Sequence, residues 1–247
     1  MIENLEKTQA LAETWDAPEV LQWAYDSFGR HVQMASGFGV EGMVLIDIAA
    51  RINPDLRVFT IDTGFLFPET YDLIGRVEKR YRIQVERVRP QLTPQGQEEI
   101  YGPTLWSVNP DQCCSLRKVE PLKEKLASLQ AWITAIRRDQ TEFRASAKKI
   151  EWDRKFRIIK VNPIVDWSTK DIWDYVHTHN VPYNPLHDFN YPSIGCTHCT
   201  QAVRPGDDPR SGRWAGTQKT ECGLHLPEPL PPSPLVQLTG GGPQLDT

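Results

Sequence analysis

The residues of this 247-residue chain best suited to chemistry are its five cysteines: Cys113, Cys114, Cys196, Cys199 and Cys222. Two are adjacent, two form a Cys-x-x-Cys pair, and one stands alone. The number is odd, and in a chain read as cytosolic, metal binding or catalysis is favoured over structural disulfides. Thiolates held close together repel unless a cation shares them, and four is the ligand count of both structural zinc and iron–sulfur clusters. Adjacent ligands suit a cubane with separate irons better than a single zinc ion. A [4Fe–4S] cluster on Cys113, Cys114, Cys196 and Cys199 is therefore expected, with zinc as the alternative.

Cys222 lies in Glu221-Cys222-Gly223-Leu224-His225. A lone thiol becomes a nucleophile when a neighbour stabilises its thiolate, and His225, Arg210, Arg213 and Lys118 are the candidates. The bland alternative is an incidental exposed cysteine. Basic residues gather near the cysteines: Arg117 and Lys118 after the adjacent pair, Arg137, Arg138 and Arg144 further on, and Arg210 and Arg213 before Cys222. In a chain of net charge −4, this concentration points to a small anionic substrate, because guanidinium forks match phosphate and sulfate oxygens. Lys148 and Lys149 read instead as a solvated face.

Two glycine-bearing turns complete the chemical set. Ser36-Gly37-Phe38-Gly39-Val40-Glu41-Gly42 links a strand to a helix, so backbone N–H groups and the helix N-terminus can converge on an anion. It carries neither the Walker lysine nor G-x-G-x-x-G, and a simple tight turn is the alternative. Ile61-Asp62-Thr63-Gly64 follows another strand; Asp62 can accept from a ribose or adenine, or cap its own turn.

These turns need elements to hold them. Short apolar runs predict strands over His31–Ala35, Arg57–Ile61, Ile83–Val88, Trp132–Ile136 and Phe156–Val161. Helical periodicity predicts Glu41–Arg51, Pro68–Arg80, Arg117–Leu129 and Thr169–Thr178, the last capped by Ser168 with Asp171 three residues on. A further helical stretch, Glu3–Phe28, is broken at Pro18. Alternating strands and helices give an α/β fold, a mostly parallel sheet with helices on both faces. Ligands of such sheets bind at the carboxyl ends of strands, which puts the turns after Ala35 and Ile61 at the site. Beyond Tyr183 the pattern dissolves. Cys222 then lies on a mobile arm, before a Pro- and Gly-rich tail expected to be disordered.

The overall charge balance asks for neither nucleic acid nor an anionic membrane as partner. The N-terminus carries acids where a signal peptide would be basic, and the most apolar stretch, Met43–Ala50, contains Asp47, so a soluble cytoplasmic protein is expected.

Taken in order, SGFGVEGMVL, IDTGFLFPETY, CCSLRKVEPL, AIRRDQTEFR, YPSIGCTHCT, RSGRW and ECGLH resemble the sulfonucleotide reductases, and among them the assimilatory adenylyl-sulfate (APS) reductases. The resemblance runs from Gln33 to His225 and implies the adenine nucleotide alpha-hydrolase-like (PP-loop) fold. It implies a reductase domain over 1–202 carrying the cluster, a catalytic arm over 203–226 and a tail over 227–247. It further implies that Cys222 attacks the substrate sulfur, that AMP leaves, and that thioredoxin or a glutaredoxin-like reductant releases sulfite. Lys118 corresponds to a lysine between cluster and sulfate. Arg144, Arg210 and Arg213 correspond to substrate-contacting arginines, with Arg137 and Arg138 competing for the role of Arg144. Ser36, Gly37, Phe38, Gly39, Glu41, Asp62, Thr63 and Gly64 would line the nucleotide pocket. Many members carry an acid where this chain has Gly42. No Trp-Cys-x-x-Cys segment is present, so the reductant is expected to be a separate protein. The rival readings are a 3′-phospho-APS (PAPS) reductase, an ATP-dependent adenylating or tRNA-modifying enzyme, and a non-catalytic metal-binding module. A homo-oligomer is compatible with all of them.

Overall fold

The computed structural model describes residues 2–225, so the tail expected to be disordered lies outside the described residues. Strands β1 (Val32–Ala35), β2 (Val58–Ile61), β3 (Val85–Val88), β4 (Ala131–Ile133), β5 (Ile150–Asp153) and β6 (Ile158–Val161) form one sheet in the order β3-β2-β1-β4-β6-β5. All pairings are parallel except β5 with β6. This is the mostly parallel α/β architecture that the alternating pattern predicts.

Helices α1 (Ile2–Ala12), α2 (Ala17–Phe28), α3 (Val40–Ile52), α4 (Pro68–Tyr81) and α9 (Thr169–His179) are the longer ones; α5 (Pro94–Tyr101), α6 (Leu105–Val108), α7 (Pro110–Cys114) and α8 (Glu120–Leu126) are short. Helix α3 is buried almost all round, from Gly42 to Ala49. Its one charge in that run, Asp47, is satisfied by Arg51 and by the hydroxyls of Tyr81 and Tyr175, each at 2.9 Å. The main core joins α2, α3 and α4 to the sheet through Leu21, Met43, Leu45, Leu73 and Ile133. Ser168 and Asp171 form the expected reciprocal cap of α9.

The structure adds α5, α6 and α7, which the sequence periodicity does not signal, and departs from the sequence expectations in four further places. The N-terminal break falls before Ala17, not at Pro18; Asp16 and Glu19 form a capping box, and Pro18 sits in the first turn, where no N–H is needed. The helix expected over Arg117–Leu129 begins as a wide turn over Ser115–Val119, in which Glu120 N–H bonds Ser115 O, and then becomes α8. Pro121 has no N–H to return to Arg117, so regular α-bonding cannot run through this point. Strand β5 was not anticipated, because Ile-Glu-Trp-Asp is short and half charged. Lys149 is buried rather than solvated: its ammonium meets Asp166 at 2.8 Å and the carbonyl of Trp15.

Candidate active site

The carboxyl ends of β1, β2 and β4 open into one cavity of about 780 Å³. Its floor is the loop after β1 (Ser36, Gly37, Gly39) with Thr63 after β2; Lys118, Arg137 and Arg144 form one wall, and residues 203–213 with Cys222, Leu224 and His225 close it. The C-terminal segment thus folds back over the strand ends and brings the predicted nucleophile to the predicted loops.

The β1–α3 loop is built by close approach. Ser36 Oγ accepts from Phe38 N–H at 3.1 Å, and Phe38 adopts φ 58° with its ring fully buried in the core. Phe38 therefore shapes the loop from beneath and does not line the cavity. A Cβ on Gly42 would lie 2.6 Å from Ser36 Oγ, so a side chain there displaces the serine. Glu41 lines the cavity but is engaged, accepting from Arg137 at 3.3 Å and Gln140 at 3.0 Å.

The turn after β2 divides its residues. Thr63 faces the cavity, and its hydroxyl lies 3.4 Å from Cys196 Sγ. Asp62 caps its own turn through Gly64 N–H at 3.2 Å and binds Tyr71 at 2.7 Å and Arg89 at 3.2 Å. Burial pushes the Asp62 carboxyl up, but these three donors together hold it below its ordinary range. Neither Asp62 nor Gly64 lines the cavity; Gly64 takes φ 73° and packs against Pro94.

Among the competing arginines, Arg138 turns away to Glu13 at 2.6 Å and Ala147 O at 2.7 Å. Arg137 lines the cavity but is bonded to Glu41, Asp139, Trp167 O and Thr169. Arg144, Arg210 and Arg213 all line the cavity, and each keeps a buried Nε with no hydrogen-bond partner. Those three nitrogens are donors in want of an acceptor. Arg213 bonds Ser193 Oγ at 3.1 Å, and its guanidinium fills the space that a Cβ on Gly195 would take, 2.2 Å from Nη2.

Cys222 sits in this cationic surround. Burial pushes its thiol up, but the Lys118 ammonium, the Leu224 N–H and Arg213 outweigh burial and Glu221, and hold it below the ordinary cysteine value. Lys118 in turn is raised despite burial, chiefly by Cys196 and Cys222. His225 lines the same cavity as Cys222. It stacks on Trp132 with centroids 5.6 Å apart and planes at 8°, and burial with Lys160, Arg144 and Arg210 nearby drives it well below its ordinary value. An imidazole held neutral supplies no charge to the thiolate.

Beside the large cavity lies a small one lined by Cys113, Cys114, Cys196 and Cys199 together with Phe65, Trp106, Arg117 and His198. The helix α7 supplies the first pair; the second follows Gly195, whose segment is tied to Leu66 by a bridge at Cys196. Burial, reinforced by Cys196, raises Cys113, and the same two causes push Cys199 up to about 11. Burial pushes Cys114 to about 11. Among the described residues, no three Cys, His, Asp or Glu side chains converge as chelators of a single ion. Four soft donors around one cavity, with Cys113, Cys114 and Cys199 destabilised as thiolates by burial, are the donor set that a shared multi-iron cation relieves. Sequence reasoning did not single out Trp132, which lines the large cavity, Arg89, which pairs with Asp62, or Glu221, which pairs with Arg144; of these, Glu221 had a signal in its place directly before Cys222.

Residues 31–202 match the phosphoadenosine phosphosulfate reductase domain family. The chain is 46% identical over 223 residues to the adenosine 5′-phosphosulfate reductase of Halalkalibacterium halodurans, covering 90% of this chain and 96% of the relative. It is 47% identical over 215 residues to that of Geobacillus kaustophilus, covering 87% and 92%. Among solved structures it resembles the phosphoadenylyl-sulfate (PAPS) reductase of Candida auris in its phosphate complex, with TM-score 0.71, 29% identity and coverage of 81% of this chain and 97% of that one. The FMN adenylyltransferase of Candida glabrata shares the fold at TM-score 0.57 and 14% identity, covering 91% of this chain and 77% of that one.

Proposed function

Because the chain belongs to the phosphoadenosine phosphosulfate reductase domain family, we propose that it reduces adenylyl sulfate to sulfite and AMP, with thioredoxin or a glutaredoxin-like protein as reductant. The observation that carries this reading is Cys222: its thiol is held below its ordinary value in the cavity that the strand-end loops and three arginines share.

In the first step the Cys222 thiolate attacks the substrate sulfur. A sulfur–sulfur bond forms, the bond from sulfur to the bridging oxygen breaks, and AMP leaves with that electron pair. The product on the enzyme is a Cys222 thiosulfonate. A thiol of the reductant then attacks Cys222 Sγ, expelling sulfite, and its second thiol resolves the mixed disulfide. Thiolate and substrate are both anionic, so the first step needs cations between them; Lys118, Arg144, Arg210 and Arg213 supply these. The backbone cradle from Ser36 to Glu41, with Thr63, holds the nucleotide. Asp62 and Gly64 shape that pocket from behind.

Cys113, Cys114, Cys196 and Cys199 would hold a [4Fe–4S] cluster. Bound there, it supplies four iron–thiolate bonds that tie two distant segments together beside Lys118. Among the described residues no helix is long and apolar enough to cross a membrane. The reading implies a cytoplasmic enzyme, where reduced thioredoxin is available. A preference for the unphosphorylated nucleotide is supported by relatives at 46% identity bearing that name, against 29% for the PAPS reductase. Arg89, a cation close to the Asp62 turn, is already paired with Asp62 at 3.2 Å.

The test is sulfite release by anaerobically purified enzyme with thioredoxin, comparing kcat/KM for APS and PAPS. Sulfite from both with APS preferred is the expected result. Equal use, or preference for PAPS, overturns the specificity. Absence of sulfite from either overturns the reaction.

A further inference from the structure

Glu221 has no part in the reaction as written, yet its side chain is only 2% exposed at the edge of the catalytic cavity. Its Oε2 accepts from Arg144 Nη2 at 2.9 Å and lies 3.4 Å from Arg210 Nη2, while Thr141 Oγ1 donates to Oε1 at 3.1 Å. A buried carboxylate is costly unless both oxygens are engaged, and here they are. Burial pushes Glu221 up, but Arg144 and Arg210 hold it below its ordinary range, so it is ionised at neutral pH.

The clasp joins two parts of the chain. Thr141 and Arg144 belong to the loop after β4, and Arg210 and Glu221 to the C-terminal segment. It engages guanidinium Nη groups and leaves both Nε atoms unpartnered, so the arginines retain donors while their planes are fixed. On the other side of Cys222, Lys155 Nζ bonds Gly223 O. The thiol is therefore pinned from both sides in sequence, with the carboxylate as the charged pin.

We infer that Glu221 is a positioning residue: clasped by Arg144 and Arg210, it docks the C-terminal segment and sets Cys222 in place beside Lys118. The inference deepens the proposed sulfonyl-transfer reading and rests on it for its kinetic consequence. The competing idea is that the carboxylate merely occupies the anion site until substrate displaces it.

The experiment compares the holoenzyme with Glu221→Gln and Glu221→Asp by steady-state kinetics and by hydrogen exchange over residues 204–225. A charge-assisted hydrogen bond is lost in the glutamine variant, so kcat should fall about tenfold or more, with KM changed less than about threefold. Exchange protection of the segment should fall with it, and Glu221→Asp should restore part of both. Thr141→Val removes one hydrogen bond and should give a smaller change of the same kind, a usable result if Glu221→Gln folds poorly. Unchanged kcat and unchanged protection overturn the inference. A raised kcat with lowered KM also overturns it, in favour of a competing anion. If the parent enzyme makes no sulfite, the reaction fails, yet the exchange comparison still decides whether Glu221 docks the segment.

Discussion

Three thiols of the quartet, Cys113, Cys114 and Cys199, and the single thiol Cys222 are the same functional group in neighbouring cavities, and they are driven in opposite directions. Cys114 and Cys199 are pushed up to about 11, whereas Cys222 is held below its ordinary value. Burial acts upward on all three. Lys118 touches both regions electrostatically, lowering Cys114 and Cys199 as well as Cys222. What differs is the remainder: Cys196 adds to burial at Cys114 and Cys199, while Cys222 gains the Leu224 N–H, and there the lowering influences win. Reactivity is thus set by the neighbours of a cysteine rather than by its burial, and a thiol that cannot ionise alone is a better candidate for metal binding than for attack.

The largest effect that would break this contrast comes from Cys222→Ser. Sulfite formation should be abolished while iron content and nucleotide binding are kept, since a hydroxyl is a far weaker nucleophile than a thiolate. Loss of iron in that variant would put Cys222 among the ligands and merge the two regions. Next in size, serine at Cys113, Cys114, Cys196 or Cys199 should remove iron and activity together, as read by metal analysis and the absorbance near about 400 nm. A colourless variant with full turnover would make the quartet dispensable. The smallest effect sharpens the contrast instead. Lys118→Ala removes the first-ranked lowering influence on Cys222, so its thiol should ionise at higher pH. At neutral pH the thiolate fraction then drops, and alkylation of Cys222 by iodoacetamide should slow about tenfold for each pH unit by which the midpoint rises. A pH–rate curve unchanged from the parent would mean that Arg213 and the Leu224 N–H suffice.

The cysteine grouping, the strand-end loops and the arginine set were legible in the sequence because each depends on residue type and local spacing. Helix α9 was legible to its cap, since Ser168 and Asp171 signal within one turn. What was hidden depends on partners far along the chain. Asp62 reads equally as a ribose ligand or a turn cap until Tyr71 and Arg89 close on it. His225 reads as one stabiliser of the Cys222 thiolate among several until Trp132, more than ninety residues earlier, stacks against it. Lys149 reads as surface until Trp15 and Asp166 surround it. Arg137, Arg138 and Arg144 each meet a distant acid, Glu41, Glu13 and Glu221, that the sequence does not place beside them.

The one antiparallel pairing, β5 with β6, has a consequence for the order in which the chain assembles. Its register spans Ile150↔Val161 to Asp153↔Ile158, closed by a turn of a few residues. The pairing at the sheet's centre, Val32↔Ala131 between β1 and β4, joins positions about a hundred residues apart. A hairpin forms in about 1–10 μs, while a distant parallel pairing must first close a long loop for which no local contact compensates. The edge can therefore form before the centre, whose distant parallel pairings are the slow step of such a sheet. Until β1 and β4 meet, the cavity has no floor, and Cys113 and Cys114 lie on a segment separate from that of Cys196 and Cys199. If these cysteines hold a cluster, iron meets the complete donor set only after the centre of the sheet has formed.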